Sequence, residues 1–262
     1  MTDTAHFHQI VQERGVTNII HLAAILSALA ERDHSVALSV NNQGTINALE
    51  AAKKFNCQAY IPSTIAVFGS HCPLKSTPAD VILQPSTIYG GTKVFGELLG
   101  MYYRDKFGVD YRAIRYPGIM SSEKFAFNGT TDYSTQMFFA ALEEGSYQCY
   151  LKQDSFLPMM HIDDCIEATM RLIEAPPQVL KRSVYNLAGL SFSPEQLYEE
   201  VKRILPDFEC TYEPDERQQF AEKWPQSIDD KESREDWGWN YKATLGDLAQ
   251  KMVKEIKHNY QL

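Results

Sequence analysis

The chain has 262 residues, of which 44% are apolar, and this is enough to bury a full core as one large domain or two small ones. Its 25 lysines and arginines against 34 aspartates and glutamates give a net charge of −9 at pH 7, with no basic stripe to meet a nucleic-acid backbone. No apolar stretch approaches the roughly 20 residues of a membrane helix. We therefore expect neither nucleic acid nor a membrane as a partner.

The cysteines and the first residues indicate the compartment. Residues 1–6 do not form a secretion signal. The cysteines are odd in number, scattered and without a Cys-x-x-Cys pair; they are Cys57, Cys72, Cys149, Cys165 and Cys210. This pattern is typical of reduced thiols in a soluble intracellular protein.

The first elements are a short helix over residues 7–15, closed by Gly15, and a strand over residues 16–24 that ends in the small or apolar residues Leu22, Ala23 and Ala24. Small side chains at the end of a parallel strand let a ligand approach the backbone. The same pattern also occurs where a strand simply ends in a tight turn. A helix that contains Asn41 is predicted next, over residues 39–55.

A short apolar run at residues 61–69 predicts a buried strand, and it carries the hydroxyl of Thr64. After a polar connection, a helix is predicted from Ser86 to residue 107, closed by Gly108. It holds Tyr89 and Lys93 at positions i and i+4, which share one helix face. An ammonium beside a phenol favours the phenolate, so the pair is a candidate for acid-base chemistry. The spacing alone also arises by chance in many helices.

The free energy needed to ionise Tyr89 near neutral pH is large. A free tyrosine has a pKa of about 10, so ionisation near neutral pH requires about three pKa units, or about 4 kcal/mol. One ammonium does not easily supply this amount, and we expect the cationic ring of a bound cofactor to contribute.

The alternation of strands and helices predicts an α/β fold with a parallel sheet and helices on both faces. A further strand over residues 109–119 ends in a Pro-Gly turn after Tyr116. Beyond it the pattern loosens into a smaller lobe. A helix is predicted over residues 136–144, a strand over residues 184–189, and a helix that begins at Ser193.

The order and spacing of Thr64, Tyr89 and Lys93 resemble the extended branch of the short-chain dehydrogenase/reductase superfamily. Within it, several segments are similar to the short-chain L-threonine 3-dehydrogenases: Ala-Ile-Leu-Ser at 24–27, Pro-Ser-Thr-Ile at 62–65, Arg-Tyr-Pro-Gly-Ile at 115–119, Gly-Thr-Thr-Asp-Tyr at 129–133, Leu-Pro-Met-Met at 157–160 and Asp-Trp-Gly-Trp at 236–239. The resemblance implies a Rossmann-like dinucleotide-binding domain at residues 1–120 and 156–190. It also implies a C-terminal substrate-binding lobe at residues 121–155 and 191–262.

The resemblance implies NAD-dependent oxidation of L-threonine at C3 to 2-amino-3-oxobutyrate. The implied catalytic residues are Thr64, Tyr89 and Lys93. The implied cofactor-binding residues are Leu22, Ala23, Ala24, Asn41, Tyr89, Lys93, Tyr116 and Ile119. The implied substrate-binding residues are Ser27, Thr64, Tyr89, Gly129, Thr130 and Thr131. The Asn41 and Tyr89 helices carry apolar residues on more than one face, which predicts burial on two sides, and the resemblance implies that these two helices form a homodimer. The apolar residues are Ile46, Ala48, Leu49, Ala52 and Phe55 in the first helix and Val94, Phe95, Leu98, Leu99 and Tyr102 in the second.

We expect no metal site. His161, Asp163, Asp164 and Cys165 are possible ligands, but consecutive aspartates that open a helix point apart. The resemblance implies that Asp163 and Asp164 cap the helix that follows. The zinc-dependent threonine dehydrogenases, which are unrelated, would require a cluster of metal ligands.

One departure from the family pattern concerns the cofactor. A dinucleotide fold begins with a strand and a glycine-rich turn that opens a helix, and no such turn precedes residue 21. We expect that a first βαβ unit and its extension, about 50–60 residues together, are missing. We also expect that the chain as given binds NAD weakly or not at all and shows no threonine oxidation. Two alternatives stay open: a non-catalytic fragment that acts as a binding or dimerisation partner, and a sugar-nucleotide epimerase or dehydratase. The expected location is cytoplasmic, or the mitochondrial matrix if a targeting segment was lost.

Overall fold

The computed structural model describes residues 2–124, 127 and 129–262, and the side chains of Ser27 and Ala28 lie outside the described part. The helices are α1 (Thr4–Glu13), α2 (Ser27–Arg32), α3 (His34–Phe55), α4 (Ile88–Phe107), α5 (Tyr133–Glu143), α6 (Ile162–Glu174), α7 (Pro194–Ile204), α8 (Gln218–Ala221), α9 (Lys231–Trp237) and α10 (Leu245–Tyr260). The strands are β1 (Asn18–Ile20), β2 (Gln58–Tyr60), β3 (Ser63–Thr64), β4 (Tyr111–Tyr116), β5 (Gly118–Met120), β6 (Ser146–Cys149), β7 (Leu157–His161), β8 (Val184–Asn186), β9 (Leu190–Phe192) and β10 (Glu209–Tyr212).

The main sheet is parallel, as predicted. β1 pairs with β2, β2 and β3 both pair with β4, and β4 pairs with β8. Its side chains alternate between two faces, as strand geometry requires. Ala59 and Ala113 pack into the core beneath α3 and α4, whereas Tyr60 and Ile114 pack with α6. The sheet therefore has helices on both faces, and the α/β prediction is confirmed.

β2 and β3 form one line interrupted at a proline. Ala59 faces Tyr111 and Ser63 faces Arg115, so both strands keep the same register against β4. Between them stands Pro62, which has no N–H to donate to a neighbouring strand. Residues 58 and 60 bond toward β1 and residues 59 and 61 toward β4, so the Pro62 carbonyl faces the side of β1. Because β1 ends at Ile20, this carbonyl is available to a side chain from outside the sheet.

Two smaller sheets lie further along the chain. β7 pairs with β5 in parallel and with β9 in antiparallel orientation, and β6 pairs with β10 in parallel. The sequence did not predict the β6–β10 pair. The division of the chain into a dinucleotide-binding part and a substrate lobe stays a prediction.

Helix ends were predicted better than helix starts. Gly15 and Gly108 follow their helices in the left-handed conformation, with φ of 58° and 73°, where glycine carries no steric penalty. α3 begins at His34 rather than at residue 39, because the Asp33 carboxylate caps it by accepting the N–H of Val36 at 3.0 Å. α2 was not predicted.

The start of α6 corrects one expectation. The cap is His161, whose side chain accepts the N–H of Asp163, and not the two aspartates. Asp163 and Asp164 instead occupy the first turn, where their charge complements the helix dipole. All five cysteines are free thiols. Among the described residues, the helices are too short or too polar to cross a membrane.

The glycines inside α4 have a packing role. A Cβ atom built on Gly100 would lie 2.3 Å from the Tyr111 ring, and one on Gly90 would lie 2.3 Å from the Ala66 carbonyl oxygen. No side chain fits at either place. The helix therefore approaches the sheet more closely than a helix with larger residues would.

The pair Gly90 and Gly91 gives a matched test of this packing. Gly91 is exposed, and a Cβ there would have no neighbour within 4 Å. We expect Gly91→Ala to stabilise the fold by up to about 1 kcal/mol through helix propensity. Gly90→Ala should destabilise it by about 1–3 kcal/mol through overpacking. Urea unfolding measures both free energies, and equal effects would contradict the close approach.

Candidate active site

A cavity of about 880 Å³ opens at the carboxyl ends of β1, β3 and β4. Ligands of open parallel α/β sheets bind at this edge, and the volume lies within the range of about 300–1,000 Å³ common for small-molecule sites. Apolar side chains of α2 and α6 form two of its walls, among them Leu29, Ile166 and Met170. The site is thus a mainly apolar cleft with a few polar groups at its floor.

The structure brings most of the predicted site residues into this one cavity. Those that line it are Leu22, Ala24, Thr64, Tyr89, Lys93, Tyr116, Ile119, Gly129, Thr130 and Thr131. Ala23 and Asn41 are not among the lining residues. Ser27 begins α2 next to lining residue Leu26, and its side chain is outside the described part.

Asn41 acts on the backbone beside the cavity. Its amide oxygen accepts the N–H of Ile25 at 2.7 Å, and its amide nitrogen donates to the Ile25 carbonyl at 3.0 Å. The same nitrogen lies 3.0 Å from the hydroxyl of Thr92, which in turn donates to the Tyr89 carbonyl at 2.8 Å. The buried Asn41 therefore joins the segment before α2 to the first turn of α4.

Tyr89 lies in the first turn of α4, whose start is held from two sides. The Thr87 hydroxyl accepts the N–H of Gly90 at 3.0 Å, and the Glu31 carboxylate of α2 accepts the N–H of Ile88 at 2.7 Å. Burial raises the pKa of Tyr89 to about 12, and a hydrogen bond with Thr64 acts in the opposite direction. The protein's own groups thus keep this phenol protonated near neutral pH.

Lys93 is held by the interrupted strand. Its ammonium donates to the Pro62 carbonyl at 2.9 Å and lies 5.7 Å from the centroid of the Tyr89 ring. The i, i+4 spacing therefore brings the Lys93 ammonium over the Tyr89 ring. Burial lowers the pKa of Lys93 to about 8, so the side chain stays mostly charged at pH 7. Burial, followed by the charge of Lys93, lowers the pKa of His21 to about 4, so that imidazole is neutral.

The far end of the cavity is built by the turn before α5. The N–H of Gly129 donates to the Asp132 carboxylate at 2.7 Å, and the Tyr150 hydroxyl donates to the Gly129 carbonyl at 3.2 Å. Thr130 and Thr131 line the cavity beside them. This end offers hydroxyls, backbone amides and a carboxylate, which are groups suited to a small zwitterion.

Three residues that form the cavity or lie next to it were not predicted from the sequence. Trp224 closes the cavity from the C-terminal part of the chain, and no sequence pattern signals such a distant contact. Pro62 supplies a carbonyl and not a side chain. Glu97 is buried one turn after Lys93, and a carboxylate four residues after Lys93, on the same helix face, was the available signal.

Among the described residues, one group of three possible metal ligands lies close together. His161, Asp163 and Glu255 have ligand atoms within 4.8 Å of one another. The ammonium of Lys251 already lies 2.6 Å from the Asp163 carboxylate, and Glu255 contacts the imidazole at 3.1 Å. The cluster joins α10 to the start of α6, and we propose no metal there.

Comparisons with known proteins agree with this geometry. An L-threonine dehydrogenase from Phytophthora infestans is 46% identical with a TM-score of 0.96, and the match covers 100% of this chain and 84% of that one. A monomeric L-threonine 3-dehydrogenase from a metagenome is 42% identical with a TM-score of 0.95, over 98% of this chain and 84% of that one. The mitochondrial L-threonine 3-dehydrogenase of Bos taurus is 41% identical over 96% of this chain and 68% of its own length.

Residues 1–188 match the family described as NAD dependent epimerase/dehydratase. That match covers the whole parallel sheet and the Thr64, Tyr89 and Lys93 constellation, and the relatives named above extend the similarity over nearly all of the chain. The chain therefore belongs to the NAD dependent epimerase/dehydratase family.

Proposed function

We propose that the site of this chain is built for the oxidation of L-threonine at C3 to 2-amino-3-oxobutyrate, with NAD as the hydride acceptor. The observation that carries the proposal is the meeting of Thr64, Tyr89 and Lys93 in a cavity whose other end is the polar turn at residues 129–132. Relatives at 41% and 46% identity bear the names of L-threonine dehydrogenases. A sugar-nucleotide substrate is the alternative within the family.

The roles of the residues follow from their chemistry. Tyr89 as phenolate takes the proton of the C3 hydroxyl, and Thr64 donates a hydrogen bond to that oxygen. Lys93 keeps a positive charge beside the Tyr89 ring and is placed to reach the ribose hydroxyls of a cofactor. When bound, NAD accepts the hydride from C3, so the carbinol loses one proton and one hydride and becomes a ketone.

The cavity suits the nicotinamide half of the cofactor. Leu22 and Ala24 after β1, and Tyr116 and Ile119 around the end of β4, form an apolar surface on which a planar ring can lie. The polar turn at residues 129–132 is then left for the amino acid. In this arrangement residues 1–120 and 156–190 hold the cofactor, and residues 121–155 and 191–262 complete the substrate end.

Tyr89→Phe tests the role of the phenol. The variant loses only a hydroxyl, so we expect a folded protein whose L-threonine-dependent NADH formation falls by about 10²–10⁴-fold. Tyr198→Phe, which also removes one phenol hydroxyl but lies on α7 outside the cavity, is the matched control and should retain the parent rate. A rate for Tyr89→Phe within about threefold of the parent would rule out Tyr89 as the base. Faster conversion of UDP-sugars than of L-threonine by the parent would favour the alternative substrate.

NAD affinity is a separate expectation. Backbone N–H groups at a glycine-rich helix start normally hold the pyrophosphate, and the glycines that line the described cavity, Gly118 and Gly129, do not open a helix. We expect calorimetric titration of the 262-residue chain to give a Kd above about 100 μM, equivalent to roughly −5.5 kcal/mol. A lower Kd would show that other residues hold the pyrophosphate. The turnover assay should therefore extend to NAD concentrations several times this value.

We also propose that the chain forms a homodimer through α3 and α4. Part of the apolar surface predicted for this contact lies inside the subunit, since Leu49 and Ala52 are buried. Leu98 and Tyr102 on α4 are 59% and 52% exposed, and Leu38 on α3 is 43% exposed. An apolar face left open on two neighbouring helices is typical of an association surface.

Sedimentation measures the dimer directly. At micromolar concentration we expect the parent to have dimer mass and Leu98→Glu to have monomer mass, because a carboxylate in an apolar contact is costly to bury. Ile82→Glu is the control, since Ile82 is 74% exposed and lies outside both helices. A folded parent of monomer mass, as the name of the metagenomic relative describes for that protein, would exclude the proposal.

A further inference from the structure

Three consecutive residues of the interrupted strand meet α4. The Pro62 carbonyl accepts from Lys93 at 2.9 Å, the Ser63 hydroxyl donates to the carboxylate of Glu97, and Thr64 interacts with Tyr89. Tyr89, Lys93 and Glu97 are spaced four residues apart and so share one face of the helix. The first two of them belong to the proposed active site, and the third does not line the cavity.

Glu97 is buried, and both oxygens of its carboxylate accept hydrogen bonds. The guanidinium of Arg115 on β4 approaches it with two nitrogens, Nε at 2.9 Å from Oε1 and Nη2 at 2.7 Å from Oε2. The remaining nitrogen of Arg115 donates to the Ala79 carbonyl at 2.8 Å and to the Asn186 side-chain oxygen at 3.3 Å. A two-point contact between planar groups fixes both distance and angle. It therefore determines where this face of α4 lies relative to β3 and β4.

A buried ion pair is a poor source of stability, because its desolvation offsets most of the attraction, and apolar replacements are often as stable. The pair at Glu97 is better explained by the geometry it imposes. We propose that Glu97 and Arg115 are positioning residues that hold Lys93 against the Pro62 carbonyl and Tyr89 against Thr64. The catalytic consequence rests on the proposed function, whereas the placement of Lys93 does not.

The titration of Lys93 reports its placement. The depressed pKa of about 8 is caused by burial, so an ammonium that moves away from Pro62 into water should recover a value closer to 10.5. Removing Glu97 alone would leave the charge of Arg115 unpaired and would lower the Lys93 pKa electrostatically. The informative variant therefore removes both charges at once.

The test is Glu97→Met/Arg115→Met. The pH dependence of Lys93 acylation by acetic anhydride, followed on the Lys93 peptide by mass spectrometry, gives its apparent pKa in the folded protein. We expect this pKa to rise by at least one unit relative to the parent. With L-threonine and NAD, kcat should fall at least tenfold while the KM for threonine changes less than threefold.

The control is Asp110→Met/Arg112→Met. This pair lies at the other end of β4, with a 2.8 Å contact, and Arg112 also donates to the carbonyls of residues 172, 173 and 175. The control should lower the melting temperature at least as much and leave the Lys93 titration unchanged. If Glu97→Met/Arg115→Met does not fold, Ser63→Ala, which removes one hydrogen bond to Glu97, should move the Lys93 titration in the same direction by a smaller amount.

An unchanged Lys93 titration in the folded double variant, or an equal shift in the control, overturns the inference. So does an unchanged kcat in the double variant of an active parent. A parent that shows no L-threonine turnover defeats the proposed function alone, because the Lys93 titration needs no substrate.

Discussion

The contact between the first turns of α4 and the interrupted line of β2 and β3 controls the geometry of the cavity. It is close because Gly90 leaves no side chain between the helix and the Ala66 carbonyl in the turn after β3. It is directional because the Pro62 carbonyl lies past the end of β1 and accepts a hydrogen bond from Lys93. The end of β1 therefore leaves an acceptor that orients an ammonium.

Lys93 and Glu97 carry opposite charges on the same face of α4, one turn apart. The carboxylate of Glu97 is neutralised by Arg115 and by a hydroxyl, so it adds little net field to the cavity. Among the residues that the structure describes, the ammonium of Lys93 donates to a neutral carbonyl and pairs with no carboxylate, so its charge acts on the cavity. We infer that Glu97 and Arg115 form a compensated charge pair that fixes position, whereas Lys93 supplies a charge for the proposed chemistry.

Local patterns were enough for much of the fold. The glycines after α1 and α4 and the Tyr89 and Lys93 spacing are short-range features, and each is found where it was predicted. The strand predicted at residues 61–69 was wrong in extent, since it contains β3 and then a 3-10 turn at Ile65–Val67. The parallel β6–β10 pair joins residues about 60 positions apart, and Trp224 reaches the cavity from the C-terminal part of the chain. Contacts of this kind have no local signal. The prediction of the α6 cap was wrong for another reason. His161 and Asp163 are both able to cap a helix, and only the backbone geometry decides between them.

The pKa of Tyr89 links proton removal to the cofactor. At about 12 with the protein's own groups, ionisation at pH 7 requires about five units, or about 7 kcal/mol. That value already includes Lys93, whose ammonium lies 5.7 Å from the centroid of the Tyr89 ring. One further positive charge about 4 Å from the phenol oxygen would supply about 4 kcal/mol at an effective dielectric constant of 20. A cationic cofactor ring at that distance would therefore reduce the free energy needed for ionisation to about 3 kcal/mol. In the proposed reaction, Tyr89 would therefore be a much stronger base with an oxidised, cationic hydride acceptor in the cavity than without one, which would couple removal of the substrate proton to the presence of the group that takes the hydride.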